Sequence, residues 1–491
     1  ALSRGFMSVV NSLLDQQLNL HKHVSAETLM MLKEYITKAY GEITYTIGVG
    51  CSGGSMMQHL IAEMYPGILD GLQPSCTFAD TFTTTTEIRD CLLLNNYYKS
   101  TAFLNLVQGL PTDQINAKKT AINGHLNSGV CPIWELAFGN AMRPGLISSA
   151  LSIPPPAPNW KSANSAVPNN CLLPHSMVYD PVTNPLGTRC TAADIAVNVI
   201  GKMPGAYPPR SYVVNDNIGV QYGLKALLLG LISAEEFVTL NENIGGFTTD
   251  AVWQASRMEA DEGAPAILYR AGLVNDTRQL AQVPIIDLRG NDNSSVHQNI
   301  RPWQVRARLD KANGHHQNQV IWRFPGTGGG IPTTAPANKM VLESLLTMDA
   351  WVSAVKADKS RSRLEQKVIN NKPANAVDYC YLSTDPTYST KIYDQAVCDA
   401  DPPLKYYSSP RQIAGGPFAE DILKCQLKPL DRNDYWAGTF SDSQWARLQA
   451  VFSNGVCDWG KPGVGQQPSI PWLTFENGPG GVPISEYHYH H

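Results

Sequence analysis

The residues best suited to chemistry are 50–54, a G-x-S-x-G motif with the sequence G-C-S-G-G. Residues 44–49 before it predict a strand, and residues 55–65 after it predict a helix. A serine on such a strand-to-helix turn projects its hydroxyl, and the flanking glycines avoid a collision across the turn. The helix N-terminus favours negative charge, so the Gly53 N–H is a candidate oxyanion donor. The motif therefore indicates that Ser52 is a nucleophile for acyl transfer.

A glycine-rich turn can instead hold a phosphate group. That chemistry needs a Gly-Lys-Ser/Thr sequence or a G-x-G-x-x-G fingerprint, and neither follows the motif. A glycine-rich turn of some other α/β fold is the remaining alternative.

The elements around the motif alternate between strand and helix. The pattern predicts strands at 6–10, 44–49 and 69–75, with helices at 26–40 and 55–65. Such alternation indicates an α/β fold with a parallel sheet.

The remaining chain divides by its composition. We expect a first core part at 1–77 and a proline- and cysteine-rich lid insertion at 78–282. A second core part at 283–365 holds predicted strands at 283–288 and 319–322 and helices at 302–311 and 340–356. The aperiodic segment 366–491 is expected to wrap the core.

The overall composition excludes several classes of protein. The 491 residues carry a net charge of −4 and only 16% charged residues, which does not favour binding to nucleic acid or to an anionic membrane. The sequence contains no stretch of about 20 apolar residues, so no transmembrane helix is predicted. The ten cysteines form no C-x-x-C pair, so zinc and iron–sulfur sites are not expected. An even cysteine count with low charge predicts a secreted or periplasmic, disulfide-stabilised protein.

Residues 45–55 resemble the tannase and feruloyl-esterase group of α/β-hydrolases, in which a cysteine directly precedes the catalytic serine. Residues 452–458 and 461–465 resemble the tail of that group, and the likeness is strongest to a poorly characterised bacterial branch of tannase-like secreted proteins. The resemblance implies an α/β-hydrolase fold, esterase activity and a cysteine partner for Cys51 beside the catalytic histidine. The loop 323–339, where the group places its His-Cys pair, has no histidine. The partner of Cys51 therefore stays open.

A serine nucleophile needs a general base. Active sites of open α/β sheets lie at the carboxyl ends of the strands, and His297 follows the strand at 283–288. His315 and His316 precede their strand and fall at the other end. His59 lies seven residues beyond Ser52, about 10 Å along the helix. We therefore predict that His297 is the base.

The base needs an acid that orients it, and three aspartates are candidates. Asp292 follows the same strand as His297 and ranks first. Asp80 follows the preceding strand and ranks second, and Asp287 at the strand end ranks third.

Only about 45 residues precede the motif, which is room for one strand and one helix. A complete α/β-hydrolase sheet has more strands there, and one of their loops supplies a second oxyanion N–H. We expect the N-terminal strands of the sheet to be missing from this chain. A separate N-terminal fragment or subunit would complete the sheet, unless the chain is truncated or the insertion replaces the strands.

These features predict a serine esterase that forms an acyl-enzyme on Ser52. No metal or organic cofactor is expected, and the ester substrate is a small molecule or an oligomer. The turn around Asp216 has a single carboxylate and is a weak calcium candidate. Alternatives are hydrolysis of amide, oligomer or polyester substrates, acyl transfer to an alcohol, and a catalytically inactive binding protein on the same frame.

Overall fold

The structure is a computed structural model. It describes residues 2–15, 19–139, 142–145, 171, 173–326, 335–472, 475–476 and 482–483.

A five-stranded, entirely parallel sheet forms the centre of the molecule, and its spatial order equals the chain order. The strands are β1 (Ile47–Cys51), β2 (Gly71–Ser75), β3 (Ile285–Arg289), β4 (Gln319–Arg323) and β5 (Tyr379–Cys380). Strands β3 and β4 are buried along their whole length, as expected where helices cover both faces of a parallel sheet. The chain is therefore an α/β protein with a central parallel sheet.

Helices cover the two faces of the sheet. On one face, α1 (Lys22–Tyr40), α2 (Gly53–Met64) and α4 (Arg301–Asn313) share a buried apolar cluster with β2 and β3. On the other face, Met348 and Trp351 of α5 (Ala335–Ala357) pack in a cluster with Ile286 and Trp322. The apolar spacing recognised in the sequence corresponds only in part to the buried sides of these helices, because Tyr35 of α1 and Leu346 of α5 are exposed.

Helices are the main regular structure of the segment between β2 and β3. The segment begins with α3 (Thr81–Tyr98), which starts six residues after β2 ends. The other helices of this segment are Thr101–Leu106, Thr112–Asn123, Val130–Phe138, Ala192–Ile195, Val197–Ile200, Leu224–Leu228, Ala234–Asn243 and Ala264–Arg270. Strands Gly246–Phe247 and Trp253–Gln254 pair in an antiparallel manner.

The C-terminal segment shares a core with the segment between β2 and β3. Phe237 and Tyr222 lie in one apolar cluster with Phe440, Leu448 and Phe452. Its helices are Leu364–Asn370, Gln395–Ala400, Pro410–Ile413 and Asp442–Val451, and its short antiparallel pairs are Leu427–Lys428 with Val456–Cys457 and Phe475–Glu476 with Val482–Pro483. Short 3-10 helices lie at Leu2–Arg4, Ser12–Leu14, His175–Met177, Gln279–Gln282, Pro402–Leu404 and Arg432–Asp434.

Two expectations from the sequence are wrong. Residues 6–10 form no strand, and Met7, Val9 and Val10 are exposed there. A strand needs a neighbour, and this run pairs with none in the described chain. The C-terminal segment is also not irregular throughout, because β5 extends the sheet beyond β4. A two-residue strand carries too short an alternation to be recognised from the sequence.

All ten cysteines are paired in five disulfides, Cys51–Cys76, Cys91–Cys131, Cys171–Cys190, Cys380–Cys398 and Cys425–Cys457. Such a set is typical of proteins that fold in an oxidising compartment. Among the residues that the structure describes, no helix combines the length and the apolar character that crossing a bilayer requires.

Candidate active site

Ser52 occupies a tight turn between β1 and α2. Its backbone has φ 57° and ψ −115°, a conformation that residues other than glycine rarely adopt. A Cβ atom on Gly50 would lie 2.9 Å from the Gly54 Cα, so the close crossing of the turn requires glycine at position 50. The Ser52 residue is half-buried, which leaves its side chain within reach of a small molecule.

The backbone at the start of α2 provides free donors beside Ser52. Helix α2 begins at Gly53, and the Ser52 carbonyl accepts from the N–H groups of Ser55 and Met56 at 2.9 and 3.0 Å. The N–H groups of Gly53 and Gly54 have no acceptor among the described residues, as is usual for the first N–H groups of a helix. An oxyanion forming at Ser52 would meet these donors and the positive end of the helix dipole.

Ser55 ties this turn to the loop after β2. Its hydroxyl donates to the Ser52 carbonyl at 2.6 Å and accepts from the Phe78 N–H at 3.0 Å. The role of Ser55 is not predictable from sequence, because a serine in a helix gives no signal until the loop that contacts it is known.

A disulfide joins Cys51 to Cys76, so the partner of Cys51 that the sequence left open is Cys76. Cys51 ends β1, and Cys76 directly follows β2, whose Ser75 pairs with Cys51 in the parallel register. The partner is thus in the loop after the neighbouring strand, not in the loop after β4. The sequence could have predicted this pairing, because Cys51 and Cys76 both lie at the ends of predicted strands and neighbouring parallel strands end at the same edge of a sheet.

His297 and Asp292 contact each other beside this disulfide. His297 Nδ1 lies 3.0 Å from Asp292 Oδ2, and both side chains are mostly buried. One ring nitrogen of His297 and the sulfurs of Cys51 and Cys76 lie within 4.8 Å of one another. The imidazole therefore lies against the disulfide, next to the residue that precedes Ser52.

No hydrogen bond joins the Ser52 and His297 side chains in the described part of the chain. Catalytic hydrogen bonds are often long in ligand-free enzymes and tighten when the substrate binds. The structure therefore brings the dyad of His297 and Asp292 to the disulfide of Cys51, the residue before Ser52, and shows no direct contact between His297 and Ser52 among the described residues.

The loop that carries the dyad is held by two asparagines. Asn293 Nδ2 donates to the Lys405 carbonyl at 2.7 Å, and Asn299 Nδ2 donates to the carbonyls of Pro403 and Lys405 at 2.8 Å each. Asn299 Oδ1 also accepts from the Asp292 N–H at 3.1 Å. These partners lie more than 100 residues downstream, which is why the sequence did not reveal them.

The other two candidate acids are occupied elsewhere. Asp80 is fully buried, and its Oδ2 accepts from Arg308 Nη1 at 2.6 Å, while its Oδ1 accepts from the Thr83 N–H at 2.8 Å. Asp287 accepts from the Thr77 hydroxyl, and burial raises its pKa to about 7. Of the three carboxylates, Asp292 alone contacts His297 among the described residues.

Three other histidines, His59, His315 and His316, have partners other than Ser52. His59 is fully buried against the Phe78 carbonyl at 2.9 Å, and burial lowers its pKa to about 4. His315 pairs with Glu365 and His316 with Asp310.

The single carboxylate of the calcium candidate, Asp216, is paired with Lys424.

The cysteine–histidine groups near these sites cannot act as thiolate metal sites. The sulfurs beside His297 form the Cys51–Cys76 disulfide, and those beside His125 form the Cys91–Cys131 disulfide. A disulfide sulfur offers no thiolate to a metal ion.

Residues 1–468 match the model of a tannase-like family of unknown function (DUF6351). The chain belongs to this family. No curated protein and no solved structure shows significant similarity to it. The membership agrees with the resemblance that residues 45–55 carry, and it points to a hydrolase, with an esterase as the nearest reaction type.

Proposed function

We propose that this tannase-like protein is a secreted or periplasmic serine esterase with an α/β-hydrolase fold. The observation that carries the proposal is the His297–Asp292 pair, which lies against the Cys51–Cys76 disulfide beside the strained Ser52 turn. A nucleophile, a base and an orienting acid at the carboxyl ends of neighbouring strands form the arrangement that acyl transfer needs.

In the proposed reaction, the Ser52 oxygen attacks the ester carbonyl carbon while His297 takes the hydroxyl proton. Asp292 accepts a hydrogen bond from Nδ1 and stabilises the imidazolium. The N–H groups at the start of α2, with Gly53 first, stabilise the tetrahedral oxyanion. His297 then returns the proton to the leaving alcohol, and water hydrolyses the acyl-enzyme by the same steps in reverse order.

Segment 78–282 serves as a lid in this proposal. Its support is that the segment leaves the sheet directly after the Cys51–Cys76 disulfide, with α3 beginning five residues beyond Cys76. The lid would determine which acyl and alcohol groups fit the site. The same reaction steps would also cleave amide, oligomer or polyester substrates if the lid admits them.

A fluorophosphonate probe tests the proposal directly. We expect the probe to label Ser52, and we expect S52A to lose labelling and to lower kcat/KM for p-nitrophenyl acetate by about 10⁴-fold or more. The matched control is S443A, because Ser443 is exposed and far along the chain. Unlabelled wild-type protein with no hydrolysis would instead support the inactive binding protein.

A further inference from the structure

A cavity of about 390 Å³ lies within the segment between β2 and β3. Ser52, His297 and Asp292 are not among the residues that line it. Its volume lies within the range of small-molecule sites, about 300–1,000 Å³. Polar groups and apolar side chains both line it, including Thr191, Ser211, Thr248, Gln254, Phe247 and Met258.

Three arginines line this cavity, and two of them have carboxylate partners. Arg189 pairs with Asp194 at 3.3 Å and with Asp250 at 2.7 Å. Arg210 pairs with Asp261 at 3.0 Å.

Arg89 of α3 is the third arginine, and the described structure gives it no hydrogen-bond or ion-pair partner. Its residue is 91% buried, since its exposed fraction is 9%, and its Nε is buried without an acceptor. Burial lowers the pKa of this guanidinium to about 10, so it still carries its charge at neutral pH. An unpaired charge in such a position is unfavourable unless an anion compensates it.

The carboxylate of Asp194, which lines the cavity, is already engaged. Asp194 Oδ2 accepts from Arg189 Nε and from the Thr191 hydroxyl, and its Oδ1 accepts from the Ser211 N–H at 3.1 Å. Its charge influences Arg89 without forming a hydrogen bond to it. Glu259, the other carboxylate that lines the cavity, pairs with Lys424. Among the described residues that line the cavity, Arg89 is thus the one cation without a hydrogen-bond or ion-pair partner.

We propose that this cavity binds a small organic acid and that Arg89 pairs with its carboxylate. A guanidinium presents a planar fork of N–H donors that matches a carboxylate in a bidentate manner. The apolar wall at Phe247 and Met258 takes the body of the ligand, and the neighbouring hydroxyl and amide groups take its polar substituents. The proposal does not rest on the serine esterase activity.

The first test compares benzoate with benzamide, which has the same shape and no charge. Calorimetry should show that benzoate binds the wild-type protein at least tenfold more tightly. R89M should abolish the preference, R89K should keep part of it, and the surface control R432M should bind as the wild type does. S52A should also bind benzoate as the wild type does, which separates this result from any failure of the proposed function.

Thermal unfolding adds a second readout. R89M removes an uncompensated buried charge, so we expect the ligand-free variant to be at least as stable as the wild type, and benzoate to raise the Tm of the wild type only. Equal affinity for benzoate and benzamide in the wild type, or a preference that survives in R89M, would overturn the proposal. The wild-type comparison stands even if R89M fails to fold.

The carboxylate has two possible sources, and a pair of esters distinguishes them. If it belongs to the ester substrate, R89M lowers kcat/KM for monomethyl succinate and spares dimethyl succinate. If it belongs to a separate small acid, R89M loses benzoate binding and hydrolyses both esters at the wild-type rate.

Discussion

The carboxylates of Asp292 and Asp80 have different hydrogen-bond and ion-pair partners. Asp292 contacts His297 and lies in a loop, whereas Asp80 is fully buried in an ion pair with Arg308. A carboxylate that balances a buried guanidinium stabilises the fold, whereas Asp292 would act on the proposed reaction through His297. The two roles predict opposite outcomes for the same chemical substitution.

We expect D292N to lower kcat for p-nitrophenyl acetate by about 10⁴-fold with little change in stability, because the amide no longer orients the histidine. D80N should instead lower the free energy of unfolding by about 3–5 kcal/mol, because it leaves Arg308 buried without its charge partner. Steady-state kinetics and urea unfolding measure the two quantities. If D80N folds normally and loses turnover while D292N stays active, the acid is Asp80.

Asp287 should make stability depend on pH. Burial raises its pKa from 3.8 to about 7, so between these values the folded protein holds a proton that the unfolded chain releases. The stability contributed by the protonated carboxyl is complete below about pH 4 and is lost as the pH rises to about 7.

D287N mimics the protonated form, so its free energy of unfolding should exceed that of the wild type above pH 7 by at most about 4 kcal/mol. Urea unfolding from pH 4 to pH 8 measures the difference, with the exposed D113N as control. A difference that does not change with pH would show that Asp287 is ionised throughout.

At the scale of elements, the sequence was informative where neighbours in the chain are neighbours in space. The Ser52 turn and the loop with His297 and Asp292 each follow one strand, so their patterns are local. The Arg308 partner of Asp80 and the carbonyls that hold Asn299 lie more than 100 residues away, and no local pattern reports them. The strand predicted at 6–10 failed for the same reason, because apolar content does not show whether a partner strand exists.

The Cys51–Cys76 disulfide is expected to hold the geometry of the Ser52 turn. Alanine at both cysteines should lower the free energy of unfolding by about 3 kcal/mol, from the entropy of its closed loop. It should also lower kcat by about 10²-fold, because small displacements of a nucleophile have effects of that size.

The matched control is the double alanine variant of Cys425 and Cys457, which closes a loop of similar length far from Ser52 in sequence. It should lose comparable stability and keep its kcat. Equal losses of kcat in both variants would contradict a specific role for the first disulfide.

At the scale of the whole molecule, the sheet ends in an open edge. Strand β1 pairs only with β2 in the described chain, and Val49 in its middle is 63% exposed. Unpaired strand edges attract other strands. We keep as a proposal that a strand from another polypeptide pairs with β1 and completes the sheet.

An edge of this kind should promote self-association in the isolated chain. V49K should reduce it, because a lysine on an edge strand opposes pairing, and should leave Tm nearly unchanged at so exposed a position. Light scattering over a concentration series measures the effect. V182K is the control, since Val182 is 85% exposed and lies outside the sheet. If the association of V49K equals that of the wild type, the association does not arise from the β1 edge.

The bond between Cys51 and Cys76 also has a topological consequence. It closes residues 51–76 into a covalent ring that contains Ser52, all of α2 and all of β2. A protease that cuts once between α2 and β2 would open the chain without separating it into two pieces. The Ser52 turn and the loop that leads to α3 would stay joined through the disulfide, so the nicked molecule would separate into two pieces only after reduction.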